Sequence, residues 1–163
     1  MKNNDVLRRI RYCFDIEDSK MVAIFGLAGH QVTREQISDW LKKDDDPAHQ
    51  PCSDSLLATF LNGFITDRRG EKEGPQPVPE KRLTNNMVFI KLKIALNLKS
   101  EQVLEILSLA ELQLSSNELS AFFRKLGHKN YRECKDQVLR NFLKGIQIKY
   151  RGNSQSKPEF SWR

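Results

Sequence analysis

Cys52-Ser53-Asp54-Ser55-Leu56-Leu57-Ala58-Thr59-Phe60-Leu61-Asn62-Gly63 returns as Cys134-Lys135-Asp136-Gln137-Val138-Leu139-Arg140-Asn141-Phe142-Leu143-Lys144-Gly145. The two stretches share Cys, Asp, Leu, Phe, Leu and Gly at matching places, and apolar residues recur at helical rather than alternating spacing. Extending the match outward at the same offset needs no gap. Asn3-Asn4 falls on Asn85-Asn86, and Arg69-Gly70 falls on Arg151-Gly152. Val6/Val88, Ile24/Ile106, Leu27/Leu109, Ala28/Ala110 and Gln31/Gln113 are identical between them. An ungapped self-match of this length marks an internal duplication of a unit of about 68 residues.

Each copy reads as four helices. In the first, Val6, Leu7, Ile10, Cys13 and Phe14 lie on one face, matched by Val88, Phe89, Leu92, Ala95 and Leu96. The Asn pairs ahead of these faces are expected to cap the first turn. The second helix is expected to start near Ser19 or Ser100. The third opens on a capping box, Thr33 with Gln36 and Ser115 with Glu118. The fourth follows the Cys-x-Asp and stops at Gly70 or Gly152. The expected fold is all-α: a duplicated four-helix unit, its two copies packed about a pseudo-twofold axis because so small a unit has little core of its own. Roughly 60% or more of the residues should be helical.

The chain divides into helical repeat 1 (1–70), a linker (71–84), helical repeat 2 (85–152) and a tail (153–163). Alternating Pro75, Pro77 and Pro79 make the linker an extended, semi-rigid spacer. The polar tail is expected to be flexible, although Phe160 and Trp162 are unusual there.

The chain has 163 residues, of which 39% are hydrophobic and 29% charged, a globular rather than disordered composition. No apolar run is long enough for a membrane span, and the polar start does not read as a secretory signal. Three dispersed cysteines fit free thiols in a reducing compartment, which points to the cytoplasm. The net charge of +6 is uneven. Asn3–Gly70 carries two more acidic than basic residues, whereas Asn85–Gly152 carries twelve basic residues against six acidic ones. A basic half suggests an acidic partner, nucleic acid being the commonest; the plainer alternative is a solvated surface that aids solubility.

Lys129, Arg132, Lys135, Arg140, Lys144, Lys149 and Arg151 form the candidate polyanion surface, with Tyr131 and Tyr150 placed to stack on a base or sugar. Arg140 and Lys144, four apart, should project together to solvent. The third helix, loop and basic fourth helix weakly resemble a helix-turn-helix, but the loop is too long for that motif.

Cys52-x-Asp54 and Cys134-x-Asp136 stand ahead of a helix, where the dipole favours an anion and lowers a thiol pKa. A redox-active or metal-binding pair is one reading. A small buried Cys beside an Asp that complements the helix terminus is the other, and the preferred one. Metal binding needs more ligands at repeated spacing, yet His49 precedes Cys52 by three residues and His128 precedes Cys134 by six. His30 is replaced by Leu112. Asp44-Asp45-Asp46 lacks the other acceptors of a calcium loop. No phosphate-binding glycine loop or nucleophile elbow is present. No metal, cofactor, catalytic group or small-molecule substrate is therefore expected.

The doubled pattern Asn-Asn-x-Val, then Cys-x-Asp-x-x-Leu-x-x-Phe-Leu-x-Gly, then Arg-Gly resembles the YehS-like bacterial proteins, the DUF1456 family. Its signature positions here are Asn3, Asn4, Cys52, Asp54, Phe60, Leu61 and Gly63, with Asn85, Asn86, Cys134, Asp136, Phe142, Leu143 and Gly145. The segment His128-Lys129-Asn130-Tyr131-Arg132-Glu133-Cys134 is also like the family. The resemblance implies a bacterial cytosolic protein of duplicated architecture and implies no activity. The expected function is non-enzymatic binding, to nucleic acid or another polyanion on repeat 2. The alternative is a helical adaptor that holds a protein partner in the groove between the repeats.

Overall fold

The computed structural model describes residues 1–152, so the expectation of a flexible tail lies outside the described residues. Repeat 1 contains α1 (Asn3–Cys13), α2 (Asp18–Leu27), α3 (Arg34–Leu41) and α4 (Asp54–Arg69). Repeat 2 contains α5 (Asn85–Ala95), α6 (Ser100–Leu109), α7 (Ser116–Phe122) and α8 (Asp136–Ile146). A π turn, Gln147–Arg151, continues α8 to the position where α4 ends. No strand occurs among the described residues. Helix covers a little over 60% of Asn3–Gly70 and Asn85–Gly152 taken together, as expected, despite the long loops 42–53 and 123–135.

The element ends repeat as faithfully as the sequence. Asp15 and Asn97 both turn with positive φ after the first helix, at 49° and 54°. Asn and Asp tolerate that conformation better than most side chains. Gly70 and Gly152 both stop the fourth helix at φ 89°. The capping boxes form at Thr33/Gln36 and Ser115/Glu118. Ser19 and Ser100 are not caps: α2 and α6 begin after Glu17 and Lys99, without a side-chain cap.

Each second helix crosses its fourth helix closely. A Cβ at Gly63 would lie 2.0 Å from the Ile24 carbonyl oxygen, and one at Gly145 would lie 2.1 Å from that of Ile106. Glycine at these crossings lets the helix backbones touch, seating Phe60 and Phe142 in the core. Phe25, Phe60 and Phe64 pack in repeat 1, and Phe89 meets Phe142 at a centroid distance of 4.5 Å in repeat 2.

The repeats share one contiguous apolar core that includes Leu7, Ile24, Phe60, Phe89, Ile106 and Phe142. α4 packs on α5, and α8 with its π turn packs on α1. Reciprocal crossing of this kind is the signature of the pseudo-twofold arrangement.

Candidate functional site

The residues shared by both repeats are polar clamps. Asn4 is 3% exposed. Its Nδ2 donates to the carbonyls of Trp40 and Gln50, both at 2.8 Å, and its Oδ1 accepts from the Cys52 backbone N–H at 2.9 Å. Asn86 repeats this set with Phe122, Arg132 and Cys134 at 3.0, 2.8 and 2.9 Å. One side chain thus ties the start of the first helix to both ends of the loop before the fourth. The expectation that the Asn pairs cap their own helix is corrected by this geometry. α1 has no side-chain cap, and Thr84 caps α5.

Asn3 and Asn85 hold the carboxylates. Asn3 Nδ2 donates to Asp54 Oδ1 at 2.7 Å, and Asn85 Nδ2 to Asp136 Oδ1 at 2.8 Å. The second carboxylate oxygen reaches the segment just ahead of the other repeat's first helix. Asp54 Oδ2 accepts from the Leu83 N–H at 2.9 Å, and Asp136 Oδ2 accepts from the Met1 nitrogen. Leu83 and Met1 occupy equivalent places two residues before the Asn pairs. Each Asp therefore joins its own repeat to the beginning of the other. Those hydrogen bonds hold the Asp136 carboxyl below its ordinary range, the Met1 amine contributing most and Asn85 next.

The cysteines face inward. Cys52 is 5% and Cys134 1% exposed. Burial, with Asp54 and Asp136 beside them, pushes both thiols up to about 12, and burial does the same to Cys13. A thiol held protonated is a poor nucleophile and a poor metal ligand. The described residues contain no group of three or more His, Cys, Asp and Glu side chains able to hold a metal ion.

The expected basic residues other than Arg140 are exposed, but repeat 1 engages part of the surface. Arg140 is half-buried, with Nε sequestered from solvent, and lies near Arg9 of α1. Tyr150 packs on Phe14 at 5.2 Å. Arg151 donates to the Tyr12 carbonyl at 2.8 Å and lies over the Tyr12 ring. Docking of repeat 1 against α8 and the π turn accounts for all three. Arg140 does not project freely beside Lys144, and Tyr150 is not available to stack on a ligand. Lys144 and Lys149 remain exposed, Tyr131 is half-buried, and Lys135 pairs with Glu133 at 3.2 Å.

A continuous exposed stretch lies in the α7–α8 loop, in which Arg124 to Asn130 are all exposed and Leu126 is 82% exposed. Its scaffold matches that of the α3–α4 loop. The Asp46 N–H donates to the Lys43 carbonyl and the His49 N–H to the Asp46 carbonyl, as the His128 N–H does to Lys125 and the Tyr131 N–H to His128. Even the side-chain turn is kept: Asp46 Oδ1 accepts from Ala48 N–H, and His128 Nδ1 from Asn130 N–H, both at 2.9 Å. On that common backbone Lys42 and Lys43 match Arg124 and Lys125, and the charge diverges beyond them. There repeat 1 presents Asp44-Asp45-Asp46, whereas repeat 2 presents Lys129 and Arg132. Arg124 and Lys125 carry no signal in the helical periodicity, because they lie beyond the end of α7.

The DUF1456 family model, described as "Protein of unknown function (DUF1456)", matches residues 3–70 and again 85–152. The chain belongs to this family. It is 43% identical over 147 residues to "Uncharacterized protein YehS" of Escherichia coli (strain K12), covering 90% of this chain and 94% of that relative. No solved structure matches. The twofold match of the DUF1456 model coincides with the two sets of Asn and Asp clamps, which gives those shared positions a structural role. Among the described residues, no helix is long and apolar enough to cross a membrane.

Proposed function

We propose that the protein is a non-enzymatic binding protein that contacts nucleic acid or another polyanion through the basic α7–α8 loop. One observation supports this reading: two loops with the same backbone hydrogen bonds bear opposite net charge, and the basic one is exposed from Arg124 to Asn130. Arg124, Lys125 and Lys129 have no ion pair among the described residues. Such cations attract phosphates and release counterions on contact. Leu126 adds an apolar contact at the loop.

The test is titration of labelled single-stranded DNA and RNA at two salt concentrations, with wild type and a Lys125→Glu, Lys129→Glu variant. Binding should weaken steeply with salt. The variant should bind less tightly, and losing two phosphate contacts should make the salt slope shallower by about two units. No binding at low salt, or equal binding by the variant, would overturn the reading.

A separate observation favours the adaptor reading. A groove of about 450 Å³ runs between α4, the linker and α5, lined by Ile65, Pro75, Pro77, Met87, Ile90 and Ile94. It lies between the repeats and is chiefly apolar, as a docking site for an apolar partner requires.

A further inference from the structure

The two repeats differ at one cationic position in a way that shows what the second repeat leaves open. In repeat 1, Lys42 follows α3, and its Nζ donates to Ser38 Oγ at 2.9 Å and to Asp39 Oδ1 at 3.0 Å. That cation carries its own carboxylate, and both side chains are half-buried. The equivalent residues of repeat 2 are Arg124, Ser120 and Ala121. The backbone holds the two positions alike. The Gln50 N–H donates to the Asp39 carbonyl at 3.1 Å, and the Arg132 N–H donates to the Ala121 carbonyl at 3.0 Å. Repeat 2 therefore has the cation and the hydroxyl but lacks the carboxylate.

An open pocket of about 510 Å³ lies beside Ala121, lined also by Asn117, Glu118, Ser120, Arg124 and Asn130. Apart from half-buried Ala121, all of these residues are exposed, so their polar atoms can meet a ligand. Arg124 has no ion pair among the described residues. Asn130 stands where repeat 1 has Ala48, which adds an amide donor. Glu118, the one carboxylate in the lining, accepts from the Ser115 N–H at 2.8 Å in its capping box. Arginine in place of Lys42 presents a planar fork that meets an oxyanion with two parallel hydrogen bonds.

We propose that this pocket is an oxyanion site that holds one backbone phosphate of a single nucleic-acid strand, in the role that the Asp39 carboxylate fills in repeat 1. The inference rests on the polyanion reading of the α7–α8 loop. Arg124 supplies the charge and the paired donors, and the Asn117 and Asn130 amides supply donors to the remaining oxygens. Lys125 and Lys129, exposed on the same loop, are placed for neighbouring phosphates, which favours a strand over an isolated ion.

The experiment titrates labelled decathymidylate at two salt concentrations into the full chain and into Ala121→Asp, which restores the carboxylate of repeat 1. Ala121→Asn is the uncharged control of the same size. Arg124→Ala, alone and combined with Ala121→Asp, completes a double-mutant cycle. Ala121→Asp should weaken binding about tenfold and make the salt slope shallower by about one unit, as for one lost phosphate contact. Ala121→Asn should bind nearly as the wild type does. In the Arg124→Ala background, Ala121→Asp should have little further effect. The helical circular dichroism should persist, since the same position in repeat 1 is Asp39. Unchanged binding by Ala121→Asp, while Lys125→Glu, Lys129→Glu weakens it, would overturn this pocket and leave the loop reading standing. Additive effects of Ala121→Asp and Arg124→Ala would mean that the carboxylate acts as diffuse charge; an equal loss in Ala121→Asn would mean that it acts by bulk. Either result overturns the proposal. Decaglutamate bound as tightly as decathymidylate would overturn the phosphate assignment in favour of an acidic peptide. No binding of decathymidylate at low salt would overturn both this site and the polyanion reading.

Discussion

A single asparagine side chain replaces a stretch of secondary structure in this fold. The loops before α4 and α8 lack a regular hydrogen-bonding ladder, and Asn4 and Asn86 each satisfy one carbonyl at the end of the preceding helix, one loop carbonyl and one loop N–H. Truncating Asn86 leaves those groups without their partner. We expect Asn86→Ala to cost about 3 kcal/mol, and Asn4→Ala a similar amount, measured by urea denaturation. Asn86→Asp should not restore stability, because a carboxylate cannot donate to the Phe122 and Arg132 carbonyls. A loss below about 0.5 kcal/mol, the range of ordinary surface changes, would contradict the clamp. The thiols permit a second check. With Cys13, Cys52 and Cys134 buried and their ionisation pushed up to about 12, the described native fold should resist Ellman's reagent at neutral pH. All three should react once the chain is unfolded; a rapid native-state reaction would show that at least one thiol is accessible.

At the scale of the element, the crossing of the second and fourth helices depends on glycine. Gly63→Ala would drive a methyl into the Ile24 carbonyl, which is backbone and cannot swing aside. The helices must separate, so a loss of about 3 kcal/mol is expected in thermal or chemical unfolding. Gly26 in α2 provides the contrast, since nothing lies within 4 Å of a Cβ there. Gly26→Ala should be neutral or stabilising by about 0.5 kcal/mol, through helix propensity and a less flexible unfolded chain. Equal effects at Gly63 and Gly26 would mean that the crossing relaxes easily. The π turn marks where the repeats diverge as elements. It places Tyr150 against Phe14 and Arg151 against Tyr12, contacts made by packing rather than by the local propensity of α8.

For the whole molecule, the common core and the exchanged Asp contacts make the repeats interdependent. The described repeats should unfold in one transition by both circular dichroism and tryptophan fluorescence from Trp40. Two separated transitions would show that each repeat is stable alone. The Asp136 contact also ties assembly to pH. Its carboxyl lies below the ordinary range in the folded chain, so its contribution is complete above the unfolded-state pKa and is lost as pH falls through the lowered folded value. Stability of the wild type should therefore fall more between about pH 7 and about pH 3 than that of Asp136→Asn. Equal losses, read from urea midpoints, would remove Asp136 from the acid dependence.

The sequence by itself determined the duplication, the four-helix unit, both capping boxes and the glycine stops. These depend on periodicity and short-range hydrogen bonding, which survive in a linear reading. It also marked Asn3, Asn4, Cys52 and Asp54, with their second-repeat matches, as shared positions, but not as clamps. Their partners lie 36 to 51 residues away, or in the other repeat. Local spacing was misleading for Arg140 and Tyr150, because a helix face that points away from its own repeat can point into its neighbour. Tertiary structure alone decided that α8 is covered while the α7–α8 loop stays open. It alone also brought Asn62, Glu80 and Lys91 together, since three segments distant along the chain converge there only when α4 docks on α5.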